Sequence, residues 1–255
     1  MIEYLKEGSI ATIRINNPQT LGAMTVKGFE EFHDALVDFR DDDQLLVAII
    51  TGTGEKAFCT GVDINDMLPF IKRTATKPWQ QYATVLRDME LWKPLIAACN
   101  GLTLGGGLEI ALGCDIRIAS ENARFGCPEV KVGFFPGGGG TQRLPRMIPT
   151  SIAAEMIFTG RMIDAQEAYR IGLVNRVLPL DQLMTVALET AGAICEAGPL
   201  AVRTAKQAMI KGMSLGLEEG LRLEHMMTPT VVFSQDFEEG IRAFLEKRKP
   251  RFEGH

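Results

Sequence analysis

Two glycine-rich loops, each carrying a glutamate, concentrate the chemistry-bearing residues of this 255-residue chain. Gly105-Gly106-Gly107 opens a predicted helix running to Gly113. Three glycines let a backbone approach a ligand closely. N–H groups at a helix start lack intrahelical partners and favour negative charge. Such a loop suits the enolate oxygen of a thioester. It would equally suit a phosphate, and its plainer reading is a tight strand–helix turn. Glu109 lies two residues after the glycine run, where a lone Glu usually serves the helix end. Glu129 lies in Cys127-Pro128-Glu129-Val130, ahead of the apolar stretch Val132–Phe135. Alone it reads as a surface turn residue. Together the two carboxylates flank glycine-rich, otherwise apolar loops, a setting for general acid and base work.

Other chemistries are excluded by what is missing. No GxxxxGK[ST] run is present, so a triphosphate loop is not expected. No GxGxxG has an acidic residue in the place a dinucleotide fold needs. The cysteines are Cys59, Cys99, Cys114, Cys127 and Cys195, an odd number with no CxxC spacing, and the histidines are His33, His225 and His255. No metal site is expected from these. Buried, reduced thiols in a cytoplasmic protein are the simpler expectation. The net charge of -5 contains no dense basic block, so no nucleic-acid partner is expected. Met1 to Lys6 lacks the pattern of a signal peptide, and no run of eighteen apolar residues suggests a membrane span.

The elements that must position these loops follow from periodicity. Ser9–Ile15 reads as a strand. Thr25–Phe39 reads as a helix with Val26, Phe29, Phe32, Leu36 and Phe39 on one face and Thr25 as N-cap. Leu45–Ile50, Pro94–Cys99 and Ile116–Ala119 are apolar runs that suit strands buried on both faces. Loops follow them at Gly52–Asn65, Asn100–Glu109 and Phe125–Gln142, and loops at strand ends are where open α/β sheets place ligands. From about Thr150 the chain turns helical. Segments are predicted near 151–158, 165–171, 180–197, 201–213, 217–227 and 236–247. This gives an α/β core over 1–197 and a helical C-terminal region over 198–255. Hydrophobic residues at 46% supply a sizeable core.

Taken in order, four stretches resemble the enoyl-CoA hydratase/isomerase (crotonase) family. They are Lys56-Ala-Phe-Cys-Thr-Gly-Val-Asp-Ile64, Asn100-Gly-Leu-Thr-Leu-Gly-Gly-Gly-Leu-Glu-Ile110, Ala123-Arg-Phe-Gly-Cys-Pro-Glu129 and Pro136-Gly-Gly-Gly-Gly-Thr-Gln-Arg-Leu144. The tail Ala243–Pro250 is similar too, so the likeness runs from about Ile10 to Phe252. It implies a spiral of repeated ββα units with a helical C-terminal region, assembled as a homotrimer or a dimer of trimers. It implies an acyl-CoA substrate and no cofactor beyond the coenzyme A that the substrate carries. The thioester oxygen would be held by the backbone N–H groups of Val62 and Gly106. Val62, Asp63, Ile64 and Asn65, with Ala23, would line the coenzyme A segment. Glu109 and Glu129 match the two glutamates that hydratases set on one water. Isomerases of this type commonly replace the first, so the intact pair favours hydration. An isomerase, a carnitinyl-type dehydratase and an acyl-CoA hydrolase share the same oxygen-binding loop. From another class, an RNA- or partner-binding protein on this fold is the alternative.

Two positions depart from the family pattern. Pro18-Gln-Thr-Leu-Gly22-Ala23 has glycine where Asn precedes Ala, which would alter a hydrogen bond beside the coenzyme A loop. Thr60 stands where alanine is common. Leu68, Phe70, Ile71, Trp79, Tyr82 and Leu86 match the variable pocket wall, and Phe134 and Phe135 are expected near the acyl chain. At Gly106 a Cβ is expected to point at the thioester carbonyl and to strain a backbone that needs φ > 0.

Overall fold

The computed structural model describes residues 1–76 and 89–254. The chain starts with β1 (Ile2–Glu7), which pairs antiparallel with β2 (Ile10–Ile15). β1 escaped the sequence reading because it is an edge strand. Its side chains are only partly covered, so IEYLKE shows no clean alternation. Helix α1 (Val26–Asp41) begins where expected, with the Thr25 hydroxyl accepting the Gly28 N–H at 3.0 Å. Its buried face carries Phe29, Phe32, Leu36 and Phe39. Each such side chain contributes about 1.5–3 kcal/mol by leaving water.

Six strands form the main sheet in the order β1-β2-β3-β5-β7-β10, with β3 (Val47–Gly52), β5 (Leu95–Cys99), β7 (Ile116–Ser120) and β10 (Arg176–Leu178). From β2 to β10 the neighbours are parallel. β3 and β5 are buried along their whole length, because one face meets the inter-sheet core and the other meets helix α7 (Leu180–Cys195) through Leu183, Ala187 and Ala191. A second sheet holds four three-residue strands in the order β4-β6-β8-β9: β4 (Ala57–Cys59), β6 (Leu102–Leu104), β8 (Arg124–Gly126) and β9 (Met162–Asp164). β4, β6 and β8 run parallel. Each follows a long strand after a sharp turn, which makes the ββα repeat explicit. β3 and β4 lead to α2 (Ile64–Thr74), β5 and β6 lead to α3 (Gly106–Gly113), and β7 and β8 lead to a 3-10 turn (Pro128–Val132). Three residues are too few to show a period, so these short strands were invisible in sequence.

Buried polar side chains hold the turns. Asn100 Oδ1 accepts the Gly52 N–H at 3.0 Å, and its Nδ2 donates to the Gly54 and Ala57 carbonyls. Arg117 donates from Nε to the Leu173 carbonyl at 2.7 Å and from Nη1 to the Cys114 carbonyl at 2.6 Å, which fixes the end of α3. Helices α4 (Gly140–Met147), α5 (Thr150–Thr159) and α6 (Ala165–Arg170) complete the core. Gly140–Gln142, the start of the first, was expected to be loop.

Helices α8 (Pro199–Gly212), α9 (Leu217–Val232) and α10 (Gln235–Leu245) match the predicted C-terminal helices. Lys206 on α8 ties them to the sheet, donating to Asp115 Oδ2 at 2.7 Å and to the Lys93 carbonyl at 2.9 Å. Met209, Met213, Leu217, Leu221 and Met226 are exposed, together with Phe233, Phe244 and Leu245. No helix among the described residues is long and apolar enough to cross a membrane.

Candidate active site

Three neighbouring strands of the second sheet each deliver part of the site. Val62 comes just after β4, Gly106 just after β6 and Glu129 just after β8. Val62 and Met24 form a parallel bridge, in which the Met24 N–H donates to the Gly61 carbonyl at 2.9 Å and the Asp63 N–H donates to the Met24 carbonyl at 2.8 Å. Successive N–H groups of an extended segment point to opposite sides. The Val62 N–H therefore faces away from Met24, on the side where Gly105 and Gly106 lie. A Cβ built on Gly61 would stand 3.3 Å from the Gly106 nitrogen, and one on Gly106 would stand 3.5 Å from the Gly61 Cα. The two backbones run in van der Waals contact. Among the described residues neither the Val62 nor the Gly106 N–H donates to a backbone acceptor.

The conformational demand is not where the sequence placed it. Gly61 has φ 103° and Gly105 has φ 54°, whereas Gly106 lies outside the left-handed region. A Cβ on Gly106 would meet its neighbours at 3.5–3.8 Å, an ordinary contact. The expectation that Gly106 needs φ > 0 is corrected accordingly. The close approach is at Gly107, where a Cβ would collide with the Cys59 carbonyl oxygen.

Glu109 lies on the first turn of α3 and is 4% exposed. Its Oε1 accepts the Gly140 N–H at 2.8 Å. Gly140 is the first residue of α4, so the carboxylate meets the positive end of a second helix. Arg143, one turn along, reaches the Glu109 carbonyl at 3.5 Å. Gly140 is a position beside the candidate site that the sequence reading missed. Its signal was the run Gly137–Gly140, because a Cβ there would stand 3.1 Å from Glu109 Oε1.

Glu129 sits in the 3-10 turn that follows β8. Its Oε1 lies 3.1 Å from where a Cβ on Gly105 would be, so the acid approaches the glycine loop itself. Its Oε2 is buried with no hydrogen-bond partner among the described residues. Burial, opposed by its own backbone N–H and reinforced by the charge of Glu109, raises its pKa from the ordinary 4.5 to about 7. The two carboxylates thus share one site and differ in environment. Cys127 is fully buried beside them, and burial, then the charges of Glu129 and Glu109, push its thiol up.

The segment expected to face coenzyme A is placed less uniformly. The Asp63 carboxylate is engaged as the N-cap of α2, accepting the Asn65 and Asp66 N–H groups at 3.0 and 3.4 Å. Ile64 and Asn65 are exposed on the first turn of α2. Ala23 lies beside this turn, its carbonyl accepting from Asn17 Nδ2 at 3.0 Å. The glycine before it is explained sterically, because a Cβ on Gly22 would stand 3.1 Å from the Cys59 Cα. Thr60 donates to the Thr20 carbonyl at 3.3 Å. Leu68 is exposed, while Phe70 and Ile71 pack against the core. Trp79, Tyr82 and Leu86 lie outside the described residues. Phe134 and Phe135 are exposed, with ring centroids 5.2 Å apart. Among the described residues, no group of three or more His, Cys, Asp or Glu is placed to hold a metal ion.

Residues 5–255 match the sequence pattern of the family described as enoyl-CoA hydratase/isomerase. The chain is 41% identical over 245 residues to (E)-benzylidenesuccinyl-CoA hydratase of Thauera aromatica, covering 96% of each chain. It is 43% identical over 245 residues to short-chain-enoyl-CoA hydratase of Clostridium acetobutylicum, covering 96% of this chain and 94% of the relative. Among solved structures, an enoyl-CoA hydratase from Bacillus anthracis superposes with a TM-score of 0.93 at 37% identity, covering 100% of this chain and 99% of that one.

Proposed function

The chain belongs to the enoyl-CoA hydratase/isomerase family, and from that membership we propose that it is a hydro-lyase adding water reversibly to a 2-enoyl-CoA thioester. The product is the 3-hydroxyacyl-CoA, formed by addition to one face. The observation that carries the reading is the unequal pair of carboxylates. Glu109 accepts a backbone N–H at a helix start, which favours the ionised form. Glu129 has a buried oxygen with no partner among the described residues and a pKa near neutrality, which favours the protonated form relative to Glu109. The reading assigns the pair one proton between them.

In this mechanism the thioester oxygen lies against the N–H groups of Val62 and Gly106. As water attacks C3, electron density moves through the double bond onto that oxygen, where two fixed donors are worth most. Glu109 takes a proton from the water, whose oxygen bonds to C3. Glu129 gives its proton to C2 as the enolate collapses. Proton transfer from Glu109 back to Glu129 restores the pair. No cofactor enters beyond the coenzyme A of the substrate. Val62, Asp63, Ile64, Asn65 and Ala23 are assigned to the coenzyme A side, Asp63 through its backbone because its carboxylate caps α2. Residues 1–197 are assigned as the catalytic core in the cytoplasm. Residues 198–255 are assigned to assembly as a trimer or a pair of trimers, supported by the apolar side chains exposed on α8, α9 and α10.

The test is hydration of crotonyl-CoA, followed by loss of the enoyl-thioester absorbance and repeated over a panel of acyl-CoA thioesters. Hydration of at least one 2-enoyl-CoA is expected. A protein that only shifts the double bond of a 3-enoyl-CoA, or only releases free coenzyme A, would be an isomerase or a hydrolase instead.

A further inference from the structure

Cys59 closes β4 at the centre of this site, and the chemistry above makes no use of it. The residue is fully buried. Its Sγ accepts the Gly61 N–H at 3.4 Å and lies 3.6 Å from the Gly61 carbonyl oxygen, to which the thiol donates. Burial pushes the thiol up to about 12, so it keeps its hydrogen near neutral pH. Cys59 also abuts the other half of the oxygen-binding loop. A Cβ on Gly107 would collide with the Cys59 carbonyl oxygen and stand 2.8 Å from the Cys59 Cβ. The pairing of β4 with β6 shifts register between Ala57 and Cys59. The thiol thus lies between the turn that carries the Val62 N–H and the helix start that carries the Gly106 N–H.

We propose that Cys59 is a positioning residue for the oxygen-binding loop, its thiol fixing the tilt of the Gly61–Val62 peptide and so the direction of the Val62 N–H. The proposal rests on the hydratase reading. Gly61 has the widest backbone freedom of any residue in the turn. The Met24 N–H holds its carbonyl from one side, and the thiol holds both ends of the residue from below. Without the thiol the Val62 N–H would bind the neutral carbonyl nearly as well but would meet the developing negative charge off line. Such a loss appears in kcat and spares KM.

The experiment compares Cys59→Ala, Cys59→Val and Cys59→Ser with the wild type. Valine fills the space and cannot hydrogen-bond, while serine restores a donor and acceptor. Two readouts are taken: steady-state hydration of crotonyl-CoA, and the infrared carbonyl stretch of bound butyryl-CoA carrying a 13C thioester carbon, which cannot be hydrated. The wild type is expected to lower the stretch relative to free thioester. Alanine and valine are expected to lose about 5- to 10-fold in kcat, the size of one net hydrogen bond, with KM within about twofold. The stretch should return at least partway towards the free value, and serine should keep kcat within about twofold. Variants that melt earlier but match wild-type kcat and carbonyl stretch would reduce Cys59 to packing and overturn the proposal. A wild type that neither hydrates crotonyl-CoA nor perturbs the butyryl-CoA carbonyl would overturn the hydratase reading and the proposal together.

Discussion

Replacing Glu129 by glutamine should shift the stability balance towards the variant as the pH rises from 5 to 8, while removing its hydration activity. The folded pKa of Glu129 is about 7 against an ordinary 4.5. Below the unfolded value both states carry the proton and the group adds no pH-dependent penalty. As pH rises towards 7 the unfolded chain ionises first, so stability falls, and the loss is complete once the folded group has ionised. A shift of about 2.5 units corresponds to about 3.4 kcal/mol. The turn is only partly buried, so screening by solvent reduces this to about 1–2 kcal/mol. Glutamine keeps the shape and has no charge to desolvate. Its amide meets the same unpartnered surroundings at every pH, so that cost cancels when two pH values are compared. The assay is thermal unfolding of both proteins at pH 5 and pH 8 at matched concentration. The gap between variant and wild type should grow in favour of the variant by about 2–8 °C from pH 5 to pH 8, at about 2–4 °C per kcal/mol for a chain of this size. A gap that is the same at both pH values would show that Glu129 ionises normally, and the assignment of the acid would fall with it.

The wild-type hydration rate, kcat/KM, should decline above a pH of about 7 as Glu129 loses its proton; a profile flat to pH 9 would contradict the role given to it. Glu109→Gln should lose about 100- to 10,000-fold in hydration, the usual worth of a general base, and near-normal hydration in that variant would favour the isomerase reading. Gly106→Ala should retain turnover within about tenfold because its Cβ meets only ordinary contacts, whereas Gly106→Val should lose about 100-fold or more as its branches press on Gly61 and displace one donor. Equal turnover in the two variants would refute that distinction. Light scattering at micromolar concentration should give a trimeric or hexameric mass, and a monomer would show that the exposed apolar faces of α8, α9 and α10 serve something else.

The long elements were legible because burial imposes a period on them. Phe29, Phe32, Leu36 and Phe39 on α1, and the unbroken apolar runs of β3 and β5, could be read directly. β4, β6 and β8 could not, because three residues carry no period, and their place is set by turns that Asn100 and the glycines hold. At the site, Glu109 and Glu129 were legible as a pair through the loops around them. Their inequality was not. It depends on the burial of Glu129 and on Gly140, thirty-one residues from Glu109 in sequence, whose N–H reaches one carboxylate and not the other. The strain expected at Gly106 belongs to Gly61 and Gly105, because a φ angle cannot be read from a run of identical glycines.

The order of β4, β6 and β8 within one sheet has a dimensional consequence. Parallel neighbours stand about 4.8 Å apart, a spacing fixed by the length of the peptide hydrogen bond. Under the proposed assignment, one oxygen donor, the other donor with its base, and the acid follow three successive strands of that ladder. In the proposed mechanism the spacing of oxygen donors, base and acid is thus gauged by backbone geometry, which side-chain replacement leaves unchanged. Substitution can alter what hangs at each rung, as acid, amide or apolar group, while the interval stays constant. Such a scaffold can exchange one reaction for another on the same thioester far more readily than it can accept a substrate whose reacting atoms are spaced differently.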